Sequence, residues 1–165
     1  MIYIGIDNGV SGTIGILTET SVFYYPTPVK RCLNYTKSKQ FLNRIDGDKF
    51  RDILEPVVSF YNERAMCFIE RPMVNPTRFK ATISAIRALE ATQTILESMK
   101  IPYEFLDSKE WQKAMLPCGL EKQELKIASL EVGKRLFPSL NWNEFDDADG
   151  ILIAEYARRK YKGGR

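Results

Sequence analysis

Four acidic residues stand where apolar stretches of this chain end or begin. Asp7 closes the strand-like run Ile2-Tyr3-Ile4-Gly5-Ile6, and Glu70 closes Met66-Cys67-Phe68-Ile69. Asp146 and Asp149 precede the apolar run Gly150 to Ala154. A charge beside a hydrophobic core needs a metal, a base or hydrogen-bond donors to hold it there. If the two strands are neighbours, Asp7 and Glu70 meet at one end of a sheet. A helix over residues 144–159 would place Asp146 and Asp149, three apart, on one side about one turn from each other. Asp147 would then lie roughly 100° around that helix, as a spare.

Each acid also has an ordinary reading. Asp7 can form a turn with Asn8-Gly9, Glu70 can pair with Arg71, and Asp146 can serve a capping box with Asn143. Taken together the four suit another chemistry. The chain contains no histidine, which removes histidine-based zinc sites, histidine bases and Ser-His-Asp triads. Converging carboxylates without histidine fit a hard, oxygen-seeking ion, Mg²⁺ or Mn²⁺. Two such ions about 4 Å apart can activate a water and stabilise the leaving oxygen of a phosphodiester. The cluster's own repulsion gives it a reason to bind them.

Basic residues are unevenly placed. Seven lie between Lys30 and Arg51 against two acids, four between Arg71 and Arg87 against none, and five between Arg158 and Arg165 against none. Such groups can hold phosphate backbones by salt-sensitive contacts, or be solvated faces. Lys122 and Lys126 are four apart on one expected helix, and Lys113 lies close to Trp111. Phe79, between Arg78 and Lys80, can stack on an unpaired base while its neighbours hold backbone, or begin a helix core.

The elements that must position these residues read as follows. Residues 2–6, 13–17 and 21–25 form three short strands of an antiparallel meander, stopped by Pro26-Thr27-Pro28. Residues 30–50 read as polar and basic, without an element. Helical periodicity covers 49–61, a strand 66–69, a long helix 77–99 and a strand 102–106. A short helix contains Trp111, capped by Asp107 or Ser108, and further helices cover 122–136 and 144–159. The order predicts one mixed α/β domain over residues 1–165, helices around a central sheet, with a basic tail from about residue 158. Scattered Cys32, Cys67 and Cys118 suit reduced thiols. No apolar run reaches membrane-spanning length, and the N-terminus lacks a secretory pattern, which favours the cytoplasm.

Three blocks in this order, IGIDNGVSGTIGI, FIERP and DDADGILIAEYA, resemble the RuvC-type Holliday junction resolvases, closest in flavour to the small bacteriophage versions. The resemblance spans Ile4 to Ala157. It implies a ribonuclease H-like fold, a homodimer, and metal-dependent symmetric nicking of four-way DNA junctions, with forks and flaps as looser substrates. It implies a tetrad on Asp7, Glu70, Asp146 and Asp149, a catalytic lysine on Lys122, and basic contacts from Lys113. Arg71, Arg78, Phe79, Lys80 and Lys126 are further DNA-binding candidates. The sequence departs from the family at Arg71-Pro72-Met73-Val74-Asn75-Pro76, which intervenes before Phe79, and at Gly150, where alanine is usual. A bacteriophage origin would place the protein in a bacterial host. The rival readings are a YqgF-like or ribonuclease H nuclease acting on RNA, a sugar-kinase or actin-like phosphotransferase, and a non-catalytic DNA-binding module.

Overall fold

The computed structural model describes residues 1–35, 39–61 and 64–162. The side chains of Phe60, Tyr61 and Lys122 lie outside the described set, as do residues 163–165 of the basic tail.

The first three strands, β1 (Ile2–Ile6), β2 (Thr13–Leu17) and β3 (Val22–Pro26), form the expected antiparallel meander. Asn8-Gly9 lies in the connection between β1 and β2, and Asp7 N–H donates to Thr13 O at 3.0 Å. After a basic hairpin, β4 (Val29–Leu33) with β5 (Phe41–Ile45), the chain forms α1 (Gly47–Tyr61) and then β6 (Ala65–Glu70). A 3₁₀ turn at Pro76–Arg78 leads into α2 (Phe79–Ser98), followed by β7 (Tyr103–Leu106), α3 (Ser108–Met115), α4 (Lys122–Leu136) and α5 (Asp149–Lys162). The five-stranded sheet has the order β3-β2-β1-β6-β7, with β6 parallel to both β1 and β7. It is a mixed sheet flanked by helices, as the order of elements predicted.

The hairpin β4–β5 is a departure from the expectation that 30–50 lacks elements. Its strands pair Lys30 with Arg44, Arg31 with Asn43 and Leu33 with Phe41. They do not alternate apolar with polar, because neither face is fully buried, so the period-2 signal is weak. Residues 158–162 of the basic tail belong to α5. Arg158 and Arg159 continue α5 and pair with Glu155, and Lys160 pairs with Glu110 at 2.9 Å.

Strand alternation sorts the sheet's two faces. Ile2, Ile4, Ile6, Ile14, Ile16, Cys67 and Ile69 face α1 and α2, where they pack with Phe50, Leu54, Ile95 and Leu96. Tyr3, Leu17, Phe68 and Leu106 face α3, α4 and α5, where they pack with Trp111, Val132 and the run Ile151–Ala154. By the same parity, Asp7, Thr13 and Glu70 fall on the α5 face. Long helix α2 covers the sheet with Ala88, Thr92, Ile95 and Leu96, while Phe79 and Ile86 stay exposed.

Helix α5 reaches the sheet without intervening side chains. A Cβ on Gly5 would lie 2.2 Å from Gly150 O, one on Gly15 would lie 2.3 Å from Ile151 Cα, and one on Gly150 would lie 2.6 Å from Thr13 O. Gly150 N–H donates to Thr13 Oγ1 at 3.0 Å, which fastens the first turn. Gly15→Ala is therefore expected to lower stability by about 2 kcal/mol or more, through overpacking against backbone that cannot yield. Gly9→Ala is the control, because its methyl would meet nothing nearer than 3.9 Å. Urea unfolding of both variants checks this: the midpoint should fall for Gly15→Ala and stay near wild type for Gly9→Ala.

Candidate metal centre

Parallel pairing of β1 with β6 sets Ile6 beside Ile69, so the next residues in each direction of travel, Asp7 and Glu70, leave the sheet side by side. The N-terminus of α5 arrives over them. Asp7, Asp147 and Asp149 each place a carboxylate oxygen within 4.8 Å of the others, with Asp147 buried and its two neighbours partly so.

Asp147, not Asp146, completes this group. The helical spacing that paired Asp146 with Asp149 fails because α5 begins at Asp149 rather than near Glu144. Residues 144–148 are held out of the helix by their surroundings. Phe145 stacks on Tyr24, ring centroids 4.3 Å apart, and Tyr24 Oη donates to Asp147 O at 3.0 Å. Ala148 N–H donates to Ser129 Oγ at 3.0 Å, and Asp149 N–H to Asp147 Oδ1 at 3.3 Å. The chain therefore reaches the helix through a turn at residues 143–144 and a bend at Asp146, with Asp147 buried and Asp146 exposed. Asn143 does not cap α5.

Glu70 stands beside the three aspartates with both oxygens engaged. Ser108 Oγ donates to Oε1 at 2.8 Å and Trp111 Nε1 to Oε2 at 2.7 Å. Trp111 is fully buried, so its indole fixes the carboxylate from the core side. Ser129, on α4, donates to Asp149 and accepts from Ala148, tying that helix to the same point. Lys126, one turn earlier on α4, reaches Asp147 Oδ2 at 3.3 Å. Sequence reasoning placed Lys126 among DNA contacts and passed over Ser108, Ser129 and the indole of Trp111. Only the tertiary fold shows what those donors serve.

The remaining expected residues surround the group more loosely. Arg71, immediately after Glu70, is exposed and pairs with Asp107 at 3.3 Å. Arg78, Phe79 and Lys80 are exposed at the start of α2, so Phe79 is not a core residue, and Lys113 is exposed on α3. The backbone of Lys122 opens α4, and its side chain lies outside the described residues. A hollow of about 210 Å³ adjoins Glu70, lined by Asn8, Arg71, Met73, Arg78 and Thr82 among others. Asn8 Nδ2 donates to Ala85 O of α2 at 3.1 Å, and its Oδ1 is buried without a partner among the described residues.

Electrostatically the group is overcharged for its surroundings. Burial pushes Asp7 well above the usual carboxylate range, and the charges of Glu70, Asp149 and Asp147 add to it, against Lys126. Burial and Asp147 push Asp149 up to about 7, against its hydrogen bond from Ser129. Burial also raises Glu70, while Ser108 and Trp111 lower it. At Lys126 burial opposes the charge, but Asp147 and its neighbours outweigh it and raise the ammonium's pKa.

This donor set fits a small divalent cation. All its donor atoms are oxygens, the ligand type a hard divalent cation takes, and three carboxylates offer one within 4.8 Å of each of the others. The added positive charge would favour the ionised forms that burial and repulsion oppose. The carboxylate cluster is thus compatible with metal binding.

No protein-family model matches the sequence, and no curated protein matches it. Solved structures do match. The chain is similar to "T. thermophilus RuvC in complex with Holliday junction substrate" at a TM-score of 0.63 and 12% identity, over 99% of this chain and 97% of that one. It is also similar to a "Thermus thermophilus RuvC structure" at a TM-score of 0.54 and 14% identity, with the same coverage of each chain. At such identities the likeness establishes the fold, which is RuvC-like within the ribonuclease H-like class.

The shifts carry a stability signature. Folded Asp149 keeps its proton up to about pH 7, whereas an aspartate at its ordinary value loses it near 3.8. Between those values the folded state binds more protons than the unfolded one, so metal-free stability falls as pH rises through that window. Melting the EDTA-treated protein from pH 5 to 8 should show a falling Tm. Asp149→Asn should flatten the slope, and Mg²⁺ should raise Tm more at pH 8 than at pH 5. A Tm that rises across the window would contradict the charge balance described.

Proposed function

We propose that the protein is a divalent-metal-dependent endonuclease that resolves four-way DNA junctions by paired symmetric nicks, with forks and other branched DNA as further substrates. The observation that carries this reading is the group Asp7, Asp147 and Asp149, flanked by Glu70, on a RuvC-like fold. The solved relative with the higher TM-score is bound to a Holliday junction. A homodimer would present two such centres about a two-fold axis, matching the symmetry of the junction.

The residues divide the work by position. Asp7, Asp147 and Asp149 would hold Mg²⁺ or Mn²⁺, one ion or two, with Glu70 as the adjoining carboxylate. An ion held there would supply an activated water and charge stabilisation for the leaving oxygen. Ser108 and Trp111 orient Glu70, and Ser129 orients Asp149. Lys126, paired to Asp147 and otherwise exposed, would meet a phosphate at the edge of the group. Lys122 remains a proposed partner from the same helix on the strength of the sequence pattern. Arg71 and Arg78 line the hollow beside Glu70, where a strand's phosphates can be held without crowding the acids; Lys80, Phe79 and Lys113 are the outer contacts. No described helix is long and apolar enough to cross a membrane, and the proposed substrate belongs in the cytoplasm of a bacterial cell, whether the gene is the cell's own or a bacteriophage's.

The test is cleavage of a labelled four-way junction with Mg²⁺, Mn²⁺ or EDTA, beside linear duplex, a fork and an RNA–DNA hybrid. Symmetric paired nicks that EDTA abolishes are expected. Asp7→Asn and Asp147→Asn should each reduce cleavage by about a hundredfold or more, the scale of losing one group that stabilises the reacting charge. Asp146→Asn should stay near the wild-type rate. Cleavage confined to the hybrid would make the protein a ribonuclease. If Asp146→Asn were inactive and Asp147→Asn active, the assignment of the third carboxylate would be reversed.

A further inference from the structure

A second hollow, of about 380 Å³, lies between the β4–β5 hairpin and α2. Its size falls within the range of sites that enclose a small organic ligand, so a nucleobase has room. Its cations are Arg44, Lys80 and Arg87, and no acid lines it among the described residues. Three aromatic rings border it in unusual exposure for their size: Tyr35 at 84%, Phe41 at 59% and Phe79 at 68%. Two of them carry a guanidinium on their faces. Arg87 sits 5.6 Å from the ring of Tyr35, and Arg31 sits 4.7 Å from that of Phe41. Asn34 also lines the groove, and its buried Oδ1 has no partner among the described residues.

The groove is continuous with the carboxylate group through the chain. Val10, three residues after Asp7, forms part of its wall, and Asn8 is bonded to Ala85 of α2. The first half of α2 is therefore a ridge between two hollows. Arg78, Ala81, Thr82 and Ala85 face the one beside Glu70, and Lys80, Ile83, Ser84 and Arg87 face the other.

We infer that the groove between the β4–β5 hairpin and α2 binds unpaired DNA, with Tyr35 and Phe41 stacking on bases while Arg44 and Arg87 hold the backbone. This deepens the proposed function and rests on it for the identity of the polymer. Exposed ring faces beside cations are what a single strand requires, since every base has a face to stack and every linkage a charge. A paired duplex keeps its bases stacked on each other and would engage only the cations. A second copy of the chain is the poorer occupant. A two-fold contact through this face would set one basic groove against another, with no acid lining either among the described residues. The inference gives branched DNA a reason to be favoured over linear duplex: strands opened at the branch would enter the groove as the neighbouring backbone lies over the acids.

The test measures binding in EDTA, so that cleavage does not interfere, using single-stranded oligo-dT carrying 2-aminopurine, a linear duplex of equal length, and a four-way junction. Wild type should bind the single strand more tightly than the linear duplex and quench the 2-aminopurine by stacking. Tyr35→Ala/Phe41→Ala should weaken single-strand binding by about tenfold or more and remove the quenching. Tyr35→Phe/Phe41→Tyr, which keeps both rings, should restore them. Both residues are exposed, and circular dichroism would verify that the alanine variant is folded. Equal affinity of the double alanine variant and wild type for oligo-dT would overturn the inference, as would conversion of a dimer into a monomer by the same substitutions in sedimentation. If wild type bound the single strand as described but cut no junction with Mg²⁺, the groove would stand and the nuclease reading would fall.

Discussion

Helix α5 meets the sheet backbone against backbone because Gly5, Gly15 and Gly150 leave no side chain between them. A single methyl at any of the three would lift the first turn of the helix off β1 and β2. That turn carries Asp149, and the residues just before it carry Asp147, while Asp7 leaves β1 directly beneath. The proximity of the three carboxylates thus follows from a close steric fit at glycines beside them, Gly150 next to Asp149 and Gly5 two residues before Asp7. Thr13 completes the arrangement from β2 by accepting the Gly150 amide, so the helix is fixed in height as well as in position. The partial positive charge at a helix N-terminus lies at the same point and eases the repulsion slightly.

Holding acids together this way opposes folding, and several neighbours offset part of the strain. Trp111 and Ser108 bond Glu70, Ser129 bonds Asp149, and Lys126 pairs with Asp147. Lys126 is the one cation named here and reaches Asp147 from an exposed position; the others are neutral, directional donors. The distinction matters for a metal centre. A lysine or arginine inserted among the carboxylates would neutralise them and remove the reason to take up an ion, whereas hydrogen bonds aim the oxygens and leave their charge for the cation.

Much of this was legible in the sequence, and the failures have specific causes. The ends of β1 and β6 could be read because each apolar run stops on an acid, and the parallel pairing of the two strands makes Asp7 and Glu70 neighbours. The meander and four helices followed from periodicity. Asp147 falls outside the expected carboxylate pair because helical spacing from Glu144 turns it aside, whereas α5 begins at Asp149. Local composition allows a helix from Glu144, and only the stacking of Phe145 on Tyr24 and the capture of Ala148 by Ser129 prevent it. Those are contacts between residues more than a hundred and nearly twenty positions apart, which no window can contain. The warning sign was that the buried stripe of α5 begins only at Gly150. The hairpin escaped for a different reason: its strands lie on no fully buried face, so they never needed to alternate.

The hairpin's poor legibility and its proposed role share one origin. A strand pair that covered core would have hidden Phe41, Leu33 and the ring of Tyr35, and its sequence would have announced it. Instead those apolar groups are left exposed beside Arg31, Arg44 and Arg87. Exposed rings are unfavourable in water, so their presence together, on a wall that no acid lines among the described residues and that includes Val10, suits a partner with both flat apolar faces and negative charge. The molecule thereby separates its two electrostatic tasks. The acids gather beneath the first turn of α5, where a cation belongs, and the bases lie across α2 and the hairpin, where a polyanion belongs. The first half of α2 runs between the hollow beside Glu70 and the groove of the hairpin, so one helix borders both.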